Sequence, residues 1–396
     1  MFDKQTIKDV DVRGKRVLVR VDFNVPLSEG SVTDDTRIRA ALPTLRYLVD
    51  HDARVVIVSH LGRPKGEPDP QYSLRPVRRV LARLLGRNVH FAESTIGEDV
   101  TEAVDRMVDG ELIMLENVRF NAGEKANDPG FAAQLAALAD IYVNDAFGAA
   151  HRAHASTVGV AALLPAYAGM LLAREVETLT DMLADPGRPF VAILGGSKVS
   201  DKFGVIERLL DHVDTLIIGG GMCFTLLVAK GIDVGKSLVE TEWIEPAKGM
   251  LAKAAEKGVD LLLPVDFVVA ECIVEDAETT ICGREEIPPT MMGLDIGPTT
   301  VELFNGAISG AKTIFWNGPM GVFEMKPFEN GTRKVAGAVA RNNRAVSVVG
   351  GGDSVAALRK FDLEERVTFV STGGGASMKL LEGSELPGLT ALLDKE

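Results

Sequence analysis

Short apolar runs, each closing on a loop and giving way to a helical pattern, recur along the whole chain and constrain its fold more than any other feature. In the first half they are Val17–Val21, Val55–Val58, Leu112–Leu115 and Ile141–Val143. In the second half they are Phe190–Leu194, Thr215–Ile218, Leu261–Pro264, Thr313–Trp316, Ala345–Val349 and Val367–Val370. Strand-length runs alternating with helical spacing predict an α/β protein, and each half has enough of them to build its own parallel sheet. At 396 residues the chain also exceeds the usual size of one hydrophobic core, so two domains are expected. A helical pattern over Ala173–Leu183, followed by the break Asp185-Pro186-Gly187-Arg188-Pro189, marks the boundary.

Right-handed crossovers between successive parallel strands place the loops that follow them along one edge of each sheet, where doubly wound sheets bind ligands. In the first half those loops carry Asp22-Phe23-Asn24, Ser59-His60-Leu61-Gly62-Arg63-Pro64, Glu116-Asn117-Val118-Arg119-Phe120 and His151-Arg152-Ala153-His154. In the second they carry Gly195-Gly196, Gly219-Gly220-Gly221, Trp316-Asn317-Gly318-Pro319, Gly350-Gly351-Gly352-Asp353 and Gly373-Gly374-Gly375. Arginine forks suit a small phosphorylated or carboxylated ligand, whereas stacked glycine turns bring main chain against the phosphates and flat base of a nucleotide. Taken singly, Arg119 reads as a surface salt bridge and a Gly-Gly pair as a plain turn. Their repetition at strand ends favours two ligands, one for each half.

The run Phe190–Leu194 ends in Gly195-Gly196-Ser197-Lys198-Val199-Ser200-Asp201-Lys202, after which Phe203, Ile206, Leu209, Leu210 and Val213 recur at helical spacing. A strand, glycine turn and helix are expected, with the helix N-terminus favouring an anion. Lys198 and Lys202, four apart, are expected on one helical face; two cations in a first turn oppose the dipole and suggest an anionic ligand.

Bulk composition narrows the alternatives. Hydrophobic residues at 46% and charged residues at 25% are ordinary for a globular protein. A net charge of -13 argues against nonspecific nucleic-acid binding, leaving room only for a concentrated basic pocket. Cys223, Cys272 and Cys282 form neither a disulfide framework nor a zinc knuckle, which suits a reducing cytoplasm. No apolar run approaches the length of a membrane span, and Met1–Val10 is too charged for a signal peptide, so a cytoplasmic chain with no membrane partner is expected.

Several motifs fail. Gly231-Ile232-Asp233-Val234-Gly235-Lys236-Ser237 has one residue too few between its glycines for a phosphate-binding P-loop, and reads as an ordinary loop. The absence of GxGxxG counts against an NAD-dependent dehydrogenase, although two doubly wound domains would also suit that class. A closing two-domain binding protein would share the arginines but needs no lysine-glycine site. His151 and His154 have a spacing that permits a metal pair, but no HExxH is present.

In content and order, Arg20-Val21-Asp22-Phe23-Asn24-Val25-Pro26, Ser59–Pro64, Glu116–Phe120, His151–Ser156, Gly195–Lys202, Trp316–Glu324, Gly350–Asp353 and Ser371–Ala376 resemble phosphoglycerate kinases of the bacterial type over essentially the whole chain. The one departure noted is Ser197, where many members carry alanine. The resemblance implies two Rossmann-like α/β domains, each with a mainly parallel sheet flanked by helices, joined by a helix and hinge. It implies a 3-phosphoglycerate-binding domain over 1–172, the interdomain helix and hinge over 173–188 and a nucleotide-binding domain over 189–377. A C-terminal segment, about 378–396, is expected to pack back on the first domain.

By the same resemblance, Asp22, Phe23, Asn24, Arg37, His60, Leu61, Gly62, Arg63, Arg119 and Arg152 would hold 3-phosphoglycerate or 1,3-bisphosphoglycerate. Gly195, Gly196, Lys198, Lys202, Gly219, Gly220, Gly293, Asn317, Pro319, Glu324, Gly350, Gly351, Gly352, Asp353 and Ser354 would hold ATP or ADP, with Asp353 on Mg²⁺. Arg37 and Lys202 are expected on the migrating phosphoryl group, supported by Lys198 and the amides of Gly373, Gly374 and Gly375. The implied reaction moves that group between an acyl phosphate and ADP, in glycolysis and gluconeogenesis. Its reverse nucleophile is a carboxylate, already ionised at neutral pH, so no general base is expected. A monomer with small-molecule partners only is expected.

Overall fold

The computed structural model describes residues 2–395. The chain divides into two compact units: one reaches as far as Thr178 and takes the chain back from Ser384, and the other is Leu179–Gly383. The sequence boundaries near 172 and 378 therefore correspond to divisions at 178/179 and 383/384. The first division falls inside the helix Met170–Ala184, which carries the chain from one unit into the other.

Each unit is built on a six-stranded, wholly parallel sheet. In the first, the spatial order is His90–Phe91, Leu112–Met114, Arg54–Val58, Arg16–Arg20, Ile141–Asn144, Ala166–Ala168. In the second it is Asp260–Leu262, Thr215–Ile218, Phe190–Leu194, Thr313–Asn317, Val346–Gly350, Phe369–Val370. Counted in chain order the second sheet runs 3-2-1-4-5-6, the order of a doubly wound nucleotide-binding sheet. The chain reverses its direction of travel beside Phe190–Leu194 in one unit and beside Arg16–Arg20 in the other, and doubly wound sheets bind ligands at such reversals.

The apolar runs form strands because both faces are covered. Every residue of Phe190–Leu194 is buried, as are Val17, Leu18 and Val19. Most other runs shift by a residue at an end, and two change more: Leu261–Pro264 becomes Asp260–Leu262, Pro264 having no amide for the ladder, and Val367–Val370 shortens to the edge pair Phe369–Val370. A separate three-stranded antiparallel sheet, Asp266–Ala270 with Thr280–Gly283 and Met292–Ile296, completes the second unit. Among the described residues no helix is long and apolar enough to cross a membrane.

The returning C-terminal chain is tied to the first unit by named bonds. Asn144 Nδ2 donates to Gly388 O at 2.9 Å, and Leu393 N to Ala166 O at 3.0 Å. By contrast, helix Gly375–Leu381 packs on Phe203–Leu209 within the second unit.

Asp145, fully buried just beyond Ile141–Asn144, anchors the start of Met170–Ala184 by accepting hydrogen bonds from Leu171 N at 2.9 Å and Leu172 N at 3.3 Å. Burial pushes its carboxyl up to about 7, against opposing hydrogen bonds from Thr44, Leu172 and Leu171. The folded protein therefore keeps a proton that the unfolded chain releases near its ordinary value, about 4. The stability linked to that proton is present below about pH 4 and lost as pH rises through about 7. Asp145→Asn cannot titrate, so its melting temperature relative to the parent should improve as pH rises from about 4 to about 7. Calorimetric scans across that range check this, and a constant gap contradicts it.

Candidate active site

In the first unit the strand-end loops are held open by a dense set of local bonds. Ser59 Oγ donates to Val21 O and accepts from Phe23 N, both at 2.9 Å, pinning the Asp22-Phe23-Asn24 turn to the next strand end. Asn24 Oδ1 accepts from Gly62 N at 2.8 Å, and Asn117 binds both the amide and the carbonyl of Leu61. Arg119 Nη1 donates to Gly62 O at 2.5 Å. Gly62 has φ +62°, and a Cβ there would run into the Tyr72 ring, so this loop requires glycine.

The basic side chains on these loops are crowded and only partly neutralised. Arg37 Nη1 donates to Asp22 Oδ2 at 2.7 Å. Arg119 is buried, and its guanidinium is pushed down to about 10, first by burial and then by the charges of Arg152 and Arg20. Its Nε is a buried donor with no partner. Arg152 Nε lies 3.1 Å from His151 Nε2, while Arg63 is exposed and unpaired among the described residues. His60 is buried, and desolvation followed by Arg20, Arg119, Arg152 and Arg37 lowers it well below its ordinary value. Positive charge crowded at low dielectric, with an unmet donor among it, is a site prepared for an anion.

In the second unit two cavities share Gly196, Ser197 and Asp353. The larger, about 490 Å³, has apolar walls of Phe224, Leu238, Phe267, Met292, Met320 and Val322. The smaller, about 170 Å³, is polar and bounded by Lys198, Lys202, Asn317, Gly318, Gly351, Gly352 and Ser354. An apolar slot opening into a polar, glycine-walled recess fits a flat base with a phosphate tail.

Lys202 occupies the centre of the recess. Its Nζ donates to Gly195 O at 2.6 Å, Asn317 O at 2.7 Å and Asn317 Oδ1 at 2.6 Å. Burial pushes this ammonium down to about 8, against the pull of Asp353 and Asp201. Lys198 is exposed and makes no ion pair or hydrogen bond among the described residues. The shared helical face expected for the two lysines is corrected: the helix begins only at Phe203 and ends at Leu209, with Lys202 as its N-cap and Lys198 in the preceding turn. Lys202 instead folds back onto the carbonyls at the strand ends.

Of the nucleotide-site residues, Gly220, Gly293, Pro319 and Glu324 line the larger cavity, with Gly196 and Asp353. Gly195 and Gly219 line neither and act as spacers, since a Cβ on Gly195 would overlap Pro319 O and one on Gly219 would press on Met320 Sδ. Gly350, Gly373 and Gly374 also lie outside both linings; Gly373 N is occupied by Ser371 Oγ at 3.2 Å. Lys236, read as an ordinary loop residue, lines the larger cavity, as do Phe224, Leu238, Phe267, Ile273, Met292 and Asp295. Nothing in the local pattern of Phe224, Phe267 and Met292 separates them from core: Phe267 and Met292 lie on the three-stranded sheet and Phe224 on the helix Met222–Ala229.

An arginine cluster at one sheet reversal and a base-and-phosphate pocket at the other define a two-domain α/β kinase of small molecules. The phosphoglycerate kinase family model matches residues 7–384. The chain is 58% identical over 395 residues to a phosphoglycerate kinase of Rubrobacter xylanophilus, covering all of both chains. It is 57% identical over 392 residues to that of Moorella thermoacetica, covering 99% of this chain and 100% of the relative. Phosphoglycerate kinase structures from Coxiella burnetii and Pyrococcus horikoshii superpose with TM-scores of 0.88 and 0.83 at 45% and 33% identity, each covering 98% of both chains. The chain belongs to the phosphoglycerate kinase family. Its activity is the reversible transfer of a phosphoryl group from 1,3-bisphosphoglycerate to ADP, giving 3-phosphoglycerate and ATP in glycolysis.

Two glycines separate packing from ligand space. Gly318 has φ +104°, and a Cβ there would overlap the Gly195 main chain and crowd Lys202 Nζ; Gly352 meets nothing within 4 Å. Gly318→Ala should lose about 2 kcal/mol or more of stability. Gly352→Ala should stay within about 0.5 kcal/mol of the parent. Urea unfolding of both variants tests this, and equal losses contradict it.

Proposed function

We propose that the first unit binds 3-phosphoglycerate or 1,3-bisphosphoglycerate and the second binds ATP or ADP. The observation that carries this is the polar recess around Lys202 opening into the apolar slot, in a unit separate from the arginine cluster. Arg63, Arg119 and Arg152 clamp the phosphate that does not react, spending binding energy to place the far carboxyl group. Asp22 and Asn24, fixed by Arg37 and Gly62, accept from the substrate hydroxyl. Phe23 and Leu61 are buried and hold these loops in place.

The migrating group needs in-line alignment and cations for the charge on its equatorial oxygens, with no base for the carboxylate. Arg37 and Lys202 supply that charge, with Lys198 and the Gly373–Gly375 turn in support. Asn317 and Ser354 frame the recess: Asn317 Oδ1 receives Lys202, and Ser354 Oγ accepts from Gly318 N. Mg²⁺ fits the donor set, because Asp353 borders both cavities with an exposed carboxylate that has no ion-pair or hydrogen-bond partner among the described residues. The rest of its coordination would come from the nucleotide's phosphates and water. When bound, Mg²⁺ neutralises phosphate charge. The stretch 173–188 acts as the hinge by which the units close and exclude water. The chain works as a cytoplasmic monomer without nucleic-acid or membrane partners; the net charge of -13 supports the exclusion of nucleic acid alone.

A coupled assay of ATP formation from 1,3-bisphosphoglycerate and ADP tests the assignments. Arg37→Ala and Lys202→Ala should each lower kcat by about 10³-fold, with modest change in ligand affinity. Arg63→Ala should act mainly on KM for the phosphoglycerate. Near-normal kcat in folded Arg37→Ala and Lys202→Ala proteins contradicts the roles given to them.

A further inference from the structure

Beneath the arginine cluster lies a fully buried charged network that none of the roles above uses. Arg20, last residue of the central strand Arg16–Arg20, is completely enclosed. Its Nε donates to Ser156 Oγ at 2.8 Å, its Nη1 to Val21 O, and its Nη2 lies 3.0 Å from His60 Nδ1. Ser156 Oγ in turn donates to Oε1 of the equally buried Glu124 at 2.7 Å, and Ser156 N donates to Glu124 Oε2 at 3.0 Å. Arg20 is thus balanced through a serine hydroxyl by a carboxylate and held rigid at three of its nitrogens.

The direction of the contact with His60 follows from chemistry. A guanidinium has donors only, so His60 Nδ1 must be the acceptor and carry no proton. The one carboxylate near that nitrogen, Asp22 Oδ1, stands at 3.9 Å, too far for a hydrogen bond, and the other oxygen of Asp22 is taken by Arg37. The charged groups bearing on the ring are Arg20, Arg119, Arg152 and Arg37 with Asp22 opposite; the four guanidiniums and burial all disfavour an imidazolium. Nε2 makes no hydrogen bond among the described residues and so is free to meet a ligand.

We propose that Arg20 is a positioning residue: it fixes His60 as the neutral tautomer protonated on Nε2, so that the ring offers 3-phosphoglycerate an N–H donor. The proposal rests on the reading of His60 as a substrate contact. Without Arg20 the ring is free to place its proton on Nδ1 toward Asp22, leaving Nε2 as a bare acceptor facing an anion.

Isotope-labelled histidine NMR of the unmutated protein, which distinguishes bare from protonated ring nitrogens, is the first test. At neutral pH His60 should show Nδ1 bare and Nε2 protonated; a proton on Nδ1, alone or in an imidazolium, overturns the proposal. Arg20→Lys keeps the charge but not the fork. It should mix the tautomers and raise KM for 3-phosphoglycerate by about tenfold or more, with KM for ATP unchanged and kcat within about threefold. A folded Arg20→Lys protein with the parent's tautomer and KM overturns the proposal, and if this variant does not fold the measurement on the parent decides. Should 3-phosphoglycerate leave the His60 signals of the parent unmoved, the substrate reading fails while the tautomer result still judges Arg20.

Discussion

The ammonium of Lys202, caught between Gly195 O, Asn317 O and Asn317 Oδ1, is the interaction around which the second unit's polar recess is built. It bridges the ends of Phe190–Leu194 and Thr313–Asn317, the two adjacent strands at which the sheet reverses its order. Three oxygen acceptors meet all three donors of an ammonium, so the charge is tolerated in a recess that lowers it to about 8. The surrounding glycines follow from this arrangement. Gly195, Gly220 and Gly318 leave no room for a side chain because the main chain itself must approach the lysine and its neighbours. Trp316, fully buried, braces the same turn by donating from Nε1 to Gly318 O at 2.7 Å.

The first unit solves the opposite problem. There the side chains carry the charge, and Arg20, Arg37, Arg119 and Arg152 all press on one buried imidazole. Asp22 and Glu124 offset part of that charge, and the remainder suits the phosphate and carboxylate of the 3-phosphoglycerate proposed for this unit. A protein with this pattern spends folding stability on keeping cations close together, and recovers it on binding the ligand.

Much of this was legible in the sequence because strands buried on both faces leave continuous apolar runs, and Phe190–Leu194 and Thr215–Ile218 appear in the fold with the limits read from the chain. The arginine and glycine loops were legible because a parallel sheet sends all its strand ends to one edge. Helical spacing misled at Lys198 and Lys202, where long-range bonds from Lys202 to Asn317 override the local preference. Phe224, Phe267 and Met292 were invisible as site residues, since a slot wall and a core position share one composition. Arg20 was visible only as part of a family motif; its burial and its bond to His60 arise from a contact forty positions along the chain.

The central claim is that burial lowers the Lys202 ammonium in the free protein and that phosphates entering its recess raise it again. The direct measurement is a titration of its amino group by isotope-labelled lysine NMR, without ligands and with Mg²⁺, ADP and 3-phosphoglycerate together. The account predicts a midpoint near 8 in the free protein that rises toward the ordinary value of about 10 when the ligands bind. A midpoint already near 10 without ligands, or one that the ligands leave in place, would contradict it.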